Sequence, residues 1–414
     1  MTVKLLRFIS RALTALLLVG VIGAKPLAPE SVSRKSKAGP GNGLIVHEWG
    51  TFTSVAGKDG VAVEWRPLNG KNDLPTFVYD MSGLATGTGL RNGRQCVKCD
   101  MEAVVRMETP VIYFYTERET TVSVRVDFSQ GKITEWYPQA RSAYVPAAAD
   151  AWTPSTIDWG RITVIPGSEE RFPVEAQPSH YYPARETDAA PLRVCGSKGE
   201  QREKFLFYRG VGKFDPPLTA KLDDGSVVVR NTGGQTVPQV ILFENYHGKI
   251  GYRFYDSFQT ELARPPLDQT AGSLEQDLKN ILVAQGLYAR EAQAMIKTWR
   301  DSWFEEGLRV FYIVPRKITD SILPITIEPR PSELTRVLVG RIEIITPEIE
   351  QEVEDSLESL SDSPNGFDRA AARITRTHGR FAEPALQSVL SKTTDPTRCS
   401  RIERLINHSR AALR

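Results

Sequence analysis

The sequence predicts a mainly β protein of the α+β class, with an antiparallel β-sandwich core, a helical hairpin insert and a small helical C-terminal appendage. Short runs of β-branched and aromatic residues, separated by Gly, Pro, Asn and Asp, recur over residues 44–265 and again over 308–347. Apolar residues at helical spacing occupy 266–307. Residues 348–414 are also helical in pattern and contain no Trp or Tyr.

The clearest strand is Thr121–Phe128, where apolar and polar side chains alternate. Turn residues follow at Ser129–Lys132, and Ile133–Tyr137 is again apolar, so this pattern predicts a β-hairpin. The strands of 308–347 are expected to complete the sheet core. The pattern is also compatible with two sandwiches that meet near residues 195–204.

Two helices are expected between residues 266 and 307. The first begins with the capping-box spacing of Ser273 and ends at Gly286. The second spans about residues 288–304 and presents one apolar stripe.

The C-terminal region separates its charges along the chain. Residues 348–362 contain seven acidic groups and no basic ones, whereas 363–414 contain ten basic and four acidic groups. We expect the acidic helix to lie against the basic helices, and a tail that docks a partner or a polyanion is the alternative.

The first 24 residues have the pattern of a secretory signal peptide. Lys4, Arg7 and Arg11 precede an apolar run, Ala12–Ala24, that is shorter than the roughly 20 residues of a membrane span. We therefore expect export to the periplasm or the extracellular space, with an uncleaved N-terminal anchor as the alternative. Residues 25–43 are rich in Pro, Gly, Ser and Lys and predict a flexible linker.

The charge balance argues against a nucleic-acid partner. The chain has 52 basic and 50 acidic residues, and removal of the leader with its three basic groups leaves 49 − 50 = −1. No second long apolar run follows the leader, so no integral membrane domain is expected after its removal. The hydrophobic content of 41% is that of a globular protein.

Four cysteines are present, at positions 96, 99, 195 and 399. In an oxidising compartment they are expected to form disulfides or remain structural thiols. The Cys96-Val-Lys-Cys99 spacing is also that of half a zinc site or of a redox dithiol.

Three polar clusters are candidate sites, and the first is the loop at residues 179–188. It combines an imidazole, two phenols, a guanidinium and two carboxylates. These candidate binding residues are His180, Tyr181, Tyr182, Arg185, Glu186 and Asp188. The alternative is a surface loop held by salt bridges and stacked tyrosines.

The second cluster is His47, Glu48 and Trp49 in a predicted strand, where His47 and Trp49 share one face and Glu48 points to the other. A buried histidine packed by an indole is the simpler interpretation. The third cluster, Glu305 and Glu306 with Arg309, follows the second helix, where carboxylates oppose the helix dipole.

Six blocks of the sequence resemble an uncharacterised family of exported bacterial proteins. The resemblance spans about residues 44–347 and leaves the tail uncovered. It implies export and a shared β-rich fold, and it implies no activity. The blocks are His47–Phe52, Arg106–Pro110, Ile133–Pro138, Ser179–Pro191, Lys204–Gly212 and Trp299–Arg309.

The sequence contains no P-loop, dinucleotide fingerprint, nucleophile elbow or two-His zinc helix, and it assigns no cofactor and no metal. We predict an exported protein that binds a ligand or partner or has a structural role, with an envelope glycan or another protein as candidate partner. The alternative is an exported hydrolase of polysaccharide or ester that uses carboxylates or His180, with or without a metal. It requires the three clusters to meet in one pocket. A third hypothesis is a redox role for Cys96 and Cys99.

Overall fold

The structure is a computed structural model that describes residues 43–69, 73–81, 97–144, 154–197, 199–256, 259–358 and 364–412. The predicted signal peptide, the predicted linker up to residue 42, and Cys96 lie outside the described residues.

Strands and helices follow one another in an order that confirms the predicted α+β class. The strands are β1 Ile45–Ala56, β2 Tyr79–Asp80, β3 Val105–Tyr115, β4 Thr120–Phe128, β5 Gly131–Tyr137, β6 Ser142–Tyr144, β7 Ser155–Val164, β8 Leu192–Gly196, β9 Gly199–Glu203, β10 Leu206–Gly212, β11 Leu218–Asp223, β12 Ser226–Asn231, β13 Gln239–Tyr246, β14 Lys249–Asp256, β15 Glu261–Ala263, β16 Gly307–Ile313, β17 Ile325–Glu328 and β18 Glu333–Ile344. The α-helices are α1 Ala271–Ala284, α2 Ala289–Trp303, α3 Arg316–Ile322, α4 Pro347–Glu358, α5 Pro364–His378, α6 Ala382–Lys392 and α7 Pro396–Ala412.

Three sheets organise these strands. The largest has nine strands in the order β14-β13-β16-β18-β1-β3-β10-β5-β2. Its β1–β18 pair is parallel, and its other neighbouring strands are antiparallel. The second sheet has the order β17-β4-β7-β8-β9 with β6 on β7, and a third has the order β11-β12-β15. Residues 195–204, where two sandwiches were expected to meet, lie mainly in the β8–β9 hairpin of the second sheet.

The two larger sheets form the expected sandwich. Val122, Val124 and Val126 of β4 are buried in the main core, and the polar residues between them are more exposed. Trp159 of β7 contacts Tyr208 of β10 across the layers, with ring centroids 6.2 Å apart. Hydrophobic burial between the two sheets therefore fixes which face of each strand points inward.

The predicted hairpin over residues 121–137 is wrong. β4 pairs with β7 and β17 in the second sheet, whereas β5 pairs with β10 and β2 in the large sheet. The turn after Phe128 thus carries the chain from one layer to the other. Both strands bury an apolar face in the same core, so their pattern does not distinguish a hairpin from a crossover between layers.

The helical hairpin, α1 and α2, covers the other face of the large sheet. Trp303 of α2 packs on Phe311 of β16, with ring centroids 5.7 Å apart. The cap of α1 differs from the prediction, because the hydroxyl of Thr270 accepts the backbone N–H of Ser273 at 3.2 Å. Ser273 is therefore inside the helix rather than at its cap.

The C-terminal helices α4–α7 have a hydrophobic core of their own, separate from the main core. α4 begins three residues after β18 ends. Its Glu350 pairs with Lys392 at 2.6 Å, and its Glu354 pairs with Arg398 at 3.1 Å. The acidic helix lies against basic groups of the following helices, which is the arrangement that the charge pattern predicts.

The cysteines fall into two groups. Cys99 is in a disulfide bond, whereas Cys195 and Cys399 are free thiols. A disulfide sulfur is not a thiolate ligand, so the structure gives no support to a zinc site that uses Cys99. Within the described ranges, no helix is long and apolar enough to cross a membrane.

Candidate functional site

Each of the three predicted clusters has at least one residue at α2 or just beyond its end, but the clusters do not share a pocket. His47 contacts Glu291 in the first turn of α2, and His180 contacts the Thr298 carbonyl further along. Glu305 lies just beyond the end of the helix. Arg341, which also contacts Glu305, donates to the Ser302 hydroxyl at 3.0 Å in the last turn of α2. Glu291 and Ser302 are about 16 Å apart along the helix axis. The single pocket that the hydrolase hypothesis requires is therefore not observed, and His47 and His180 do not meet.

The loop at 179–188 is held against α2 as a strap. Nδ1 of His180 donates to the Thr298 carbonyl at 2.8 Å, and its ring stacks on Trp299. Glu186 pairs with Lys297 of the same helix. Asp188 pairs with Arg290, also on α2.

The side of this loop that faces the protein interior forms hydrogen bonds with a buried carboxylate, that of Glu203. The Tyr181 hydroxyl donates to Glu203 at 3.0 Å, and Arg185 donates two hydrogen bonds to it, at 2.9 and 2.6 Å. The Tyr182 hydroxyl accepts the backbone N–H of Glu175 at 2.9 Å. These groups find their partners within the protein, which agrees with the interpretation of a loop held by salt bridges and tyrosines.

Glu48 and Trp49 are buried on opposite faces of β1. The Tyr208 hydroxyl donates to Glu48 at 2.5 Å, and Arg336 forms an ion pair with the same carboxylate. Trp49 packs toward Tyr113, with ring centroids 6.1 Å apart. Glu48 thus belongs to the sandwich interior and cannot act together with His47.

His47 is fully buried and forms a hydrogen bond with a carboxylate that sequence analysis did not identify. Its Nδ1 lies 2.8 Å from Oε2 of Glu291. Glu291 also accepts the Tyr115 hydroxyl at 2.8 Å and the backbone N–H of Tyr288 at 2.7 Å. Glu291 stands three residues after Tyr288 and caps the backbone N–H there, but Tyr288 is not the Ser or Thr of a capping-box pattern, so no local sequence pattern pointed to Glu291.

A chain of alternating charges extends from the sheet to the C-terminal helices. Arg380 donates to Glu108 at 2.5 Å and lies 3.2 Å from Glu305, and it thereby joins the helices to the sheet. Arg341 donates to Glu305 at 2.8 Å. In order, the members are Glu135, Arg209, Asp73, Arg106, Glu108, Arg380, Glu305, Arg341, Glu343 and Arg309.

Arg309, a predicted site residue, is at the end of this chain. It donates two hydrogen bonds to Glu343, each 2.9 Å, and others to the carbonyls of Trp303, Glu305 and Glu306. Those carbonyls belong to the end of α2 and the residues after it, so Arg309 compensates the negative end of the helix dipole.

The backbone is irregular where Glu108 enters this chain. The register of β1 against β3 shifts between Trp49 and Thr51, and Thr109 has a φ of 46°. Gly50 lies opposite, where an added Cβ would stand 3.1 Å from Pro110. The bulge directs Glu108 into the buried charge chain, and only glycine fits at position 50 without displacing Pro110.

A cleft of about 230 Å³ lies where the C-terminal helices meet the large sheet. The cleft is lined by two predicted site residues, Glu305 and Glu306. Phe381 and Leu308 form an apolar part of its wall. Its acidic residues are Glu244, Glu305, Glu306, Glu343, Glu348 and Glu352, and its basic residues are Arg264, Arg376 and His378.

Four of these six glutamates have arginine partners. Arg264 pairs with Glu244 and Glu348, while Glu305 and Glu343 belong to the charge chain. Burial would raise the pKa of Glu305, but Arg380, Arg341 and Arg309 outweigh it and lower that pKa to about 2. These four carboxylates are thus neutralised within the protein.

Among the described residues, the ion pairs of Glu306 and Glu352 are with histidines, and Arg373 acts on Glu352 from beyond ion-pair distance. Glu306 lies 3.2 Å from His247, and Glu352 lies 3.6 Å from His378. Burial lowers the pKa of His378, so this histidine is mostly neutral near neutral pH. Burial and the nearby charge of Glu306 raise the pKa of Glu352. Two arginines line the cleft beside six glutamates, so its lining carries an excess of negative charge.

Sequence analysis identified Glu305 and Glu306 but missed Glu352, Arg380 and His378. Glu352 is one of many acids in an acidic helix, and Arg380 is one of many basic residues in the tail, so neither has a distinguishing local pattern. In the part of the chain that the structure describes, no group of three or more His, Cys, Asp or Glu side chains is arranged to hold a metal ion.

Comparison with known proteins adds little to this geometry. No protein-family model and no curated protein matches the chain. Among solved structures, the chain is similar to the Mu homology domain of Fcho1 from Danio rerio, solved with a bound Eps15 peptide. The TM-score is 0.26 at 7% identity, and the match covers 73% of this chain and 96% of that chain. A similarity of this size supports no argument about fold or function.

Proposed function

We propose that the protein is an exported binding protein of the cell envelope or the extracellular space, and that its cleft receives a positively charged group of a ligand or partner. The observation that carries the proposal is the pair Glu306 and Glu352, which line a concave cleft and whose ion pairs, among the described residues, are with histidines rather than with arginine or lysine. Ligand sites occur preferentially where two separately cored parts of a protein meet, as they do here.

The chemistry of the cleft favours an ammonium or guanidinium group. Two carboxylates near each other repel, and a cation between them relieves that repulsion and replaces their lost hydration. The cleft is small enough to enclose a single such group, and Phe381 and Leu308 offer apolar contact for its carbon chain. An amine-bearing envelope glycan and a basic segment of a protein partner both carry this chemistry.

Calorimetric titration with a glucosamine oligomer and, separately, with a lysine oligomer tests the proposal. We expect at least one to bind, with affinity that falls as salt rises. The double variant Glu306→Gln/Glu352→Gln should weaken binding at least tenfold. The exposed pair Glu117→Gln/Glu119→Gln is the matched control and should leave affinity unchanged. Equal affinity in both double variants would contradict the assignment of the cleft.

The sequence of the first 24 residues supports export, and export has a test of its own. The mass of the protein purified from its native cells should correspond to a chain that begins after Ala24 or Ala28. An intact leader on a protein that fractionates with cytosolic markers would overturn export without affecting the cleft.

A hydrolase of polysaccharide is the second candidate, and one observation favours it. In the same cleft the pKa of Glu352 is raised by burial and by Glu306, whereas three arginines lower the pKa of Glu305 to about 2. Two carboxyl groups with pKa values moved apart are the requirement for an acid and a base in glycoside hydrolysis. Glu352 would be the acid and Glu305 the ionised partner.

Reducing-end release from a panel of envelope polysaccharides tests this second candidate. If hydrolysis is found, Glu352→Gln should lower kcat by at least a hundredfold with little change in KM, because a general acid acts mainly in the transition state. Hydrolysis that persists unchanged in Glu352→Gln would remove the candidate. Tight ligand binding without any turnover would favour the binding protein.

A further inference from the structure

One ring nitrogen of His47 forms a hydrogen bond within the described residues, and the other does not. Nδ1 is 2.8 Å from Glu291, a carboxylate that also accepts hydrogen bonds from Tyr115 and from the backbone of Tyr288. A carboxylate accepts and does not donate, so Nδ1 carries the proton and the imidazole ring is fixed in one orientation. Nε2 is then the nitrogen that is available to a ligand.

Nε2 is buried and has no hydrogen-bond partner within the described residues. The carboxylate nearest to it is that of Glu333, whose Oε1 lies 4.0 Å away. A buried acceptor without a partner is uncommon in folded proteins and is unfavourable when nothing occupies the space beside it. The position between Nε2 and Glu333 is therefore one where a bound group would complete the local chemistry.

We propose that His47 and Glu333 bind a divalent first-row transition metal ion of the zinc class. Imidazole and carboxylate are ligands that zinc accepts, and a histidine that ligates through one nitrogen usually donates its other N–H to a carboxylate. Glu291 has that second role here. Two ligands of a tetrahedral zinc stand about 3.4 Å apart, so a small rotation of Glu333 brings its oxygen into place.

The side chains beside Nε2 are partly exposed to solvent, and Oε1 of Glu333 accepts the Thr335 hydroxyl at 3.3 Å. Glu333 is 57% exposed, and Tyr288, whose ring centroid is 4.6 Å from that of His47, is 40% exposed. Because only two protein side chains ligate, at least two coordination positions remain for water or a ligand. This is the arrangement of an ion that acts on or bridges to a ligand, rather than of a closed structural site.

Another histidine–carboxylate pair provides a matched comparison. His408 lies 3.6 Å from Asp368, which is closer than His47 lies to Glu333. Its ring is 40% exposed, and its Nδ1 contacts a backbone carbonyl, that of Arg404. If proximity of a carboxylate were sufficient, both pairs would bind zinc equally well.

Isothermal titration of the full chain with zinc chloride tests the proposal. The protein used in the titration has the substitution Cys195→Ser, which removes an exposed thiol, and it has no histidine tag. We expect one zinc ion per chain. His47→Gln should abolish binding, and Glu333→Gln should weaken it at least tenfold. Glu291→Gln should weaken it about 10- to 100-fold, because Glu291 orients the ring without touching the ion. The His408→Gln variant should bind zinc with the same affinity as the parent protein.

Cobalt substitution gives an independent readout, since absorption bands of tetrahedral cobalt should appear in the parent and be lost in Glu333→Gln. Circular dichroism establishes that each variant is folded. Glu333 is exposed, so its variant decides the question even if His47→Gln does not fold. No zinc binding by the parent, or equal binding by the parent and Glu333→Gln, would overturn the proposal. Neither result would bear on the cleft, which shares none of these residues.

Discussion

Arg336 is a cation buried between the two sheets, and its environment shows how the sandwich tolerates charge. Burial alone would lower the pKa of Arg336, but the charge of Glu48 outweighs burial and keeps that pKa above its usual value. Arg336 also donates to Asp320 and to the carbonyl of Leu323, at 2.8 and 2.7 Å. Glu48 and the Nε and Nη1 groups of Arg336 therefore have several partners, whereas Nη2 has none among the described residues. Additional partners of this kind are the condition under which a buried ion pair persists.

Replacement of Arg336 by Ala should lower the free energy of unfolding by about 3–5 kcal/mol, because it leaves Glu48 charged and unpaired in the core. The double variant Glu48→Leu/Arg336→Met should recover most of this loss, since it removes both charges. Urea denaturation followed by tryptophan fluorescence measures both values. A double variant less stable than Arg336→Ala would contradict this account.

Glu305 should make the free energy of unfolding depend on pH in the acidic range. Its folded pKa of about 2 lies below its usual value of 4.5, so the stability that its ionised form contributes is complete above pH 4.5. That contribution falls as the pH drops from 4.5 toward 2. The difference in unfolding free energy between the parent and Glu305→Gln should therefore shrink between about pH 5 and about pH 3. Glu117→Gln, an exposed control, should show no such trend.

At the scale of single residues, sequence analysis found side chains but not their partners. It placed His47 and Glu48 on opposite faces of a strand, because side chains alternate. It could not find Glu291 for His47 or Arg336 for Glu48, which are 244 and 288 residues away in the chain. No local pattern encodes a contact of that separation.

At the scale of elements, Arg264 links the C-terminal helices to the sheet by pairing with Glu244 of β13 and Glu348 of α4, and there are two further attachments. One is the short connection between β18 and α4. The other is a latch, by which we mean Arg380 and Phe381. Phe381 stacks on Trp65 with ring centroids 5.7 Å apart, and Arg380 donates to Glu108. The cleft lies between the connection and the latch, so the latch controls how far the cleft can open.

Phe381→Ala should loosen the latch without unfolding the helices. Loss of the ring leaves Trp65 uncovered, so the tryptophan emission should shift to longer wavelength and backbone amides near Trp65 should exchange faster. Leu390→Ala, in the helical core and away from the latch, is the control and should leave Trp65 unchanged. An unshifted emission spectrum in Phe381→Ala would mean that the stacked pair does not hold the helices in place.

Element type was easier to predict than element pairing. The two helices of the hairpin and the strand β4 follow patterns of period 3.6 and 2, which report which side of an element is buried. The partner of β4 was predicted wrongly, because a buried face fits a hairpin and a crossover equally well. The cleft was beyond prediction for the same reason, since its walls come from strands and helices distant in sequence.

At the scale of the whole molecule, the chain contains two hydrophobic cores of very different composition. All seven tryptophans precede residue 347, whereas the helical core is built from aliphatic residues, alanines and one phenylalanine. Apart from Trp65, which stacks on Phe381, tryptophan fluorescence therefore reports on the part of the chain before the C-terminal helices, while far-ultraviolet circular dichroism reports on all helices. The two signals can be used to follow the two cores separately.

This separation gives a prediction for thermal unfolding. Leu386 is fully buried in the helical core, and Leu386→Ala should cost about 2–5 kcal/mol there. This variant and the control Val124→Ala are both made in a Trp65→Phe background, which removes the indole that Phe381 covers. If the helices unfold as their own unit, the dichroism transition should then move to lower temperature, and the fluorescence transition should stay close to that of the Trp65→Phe parent. Val124→Ala, in the sandwich core, should lower the fluorescence transition instead. Coincident shifts of both signals in Leu386→Ala would mean that the charge chain and the latch make the two cores a single cooperative unit.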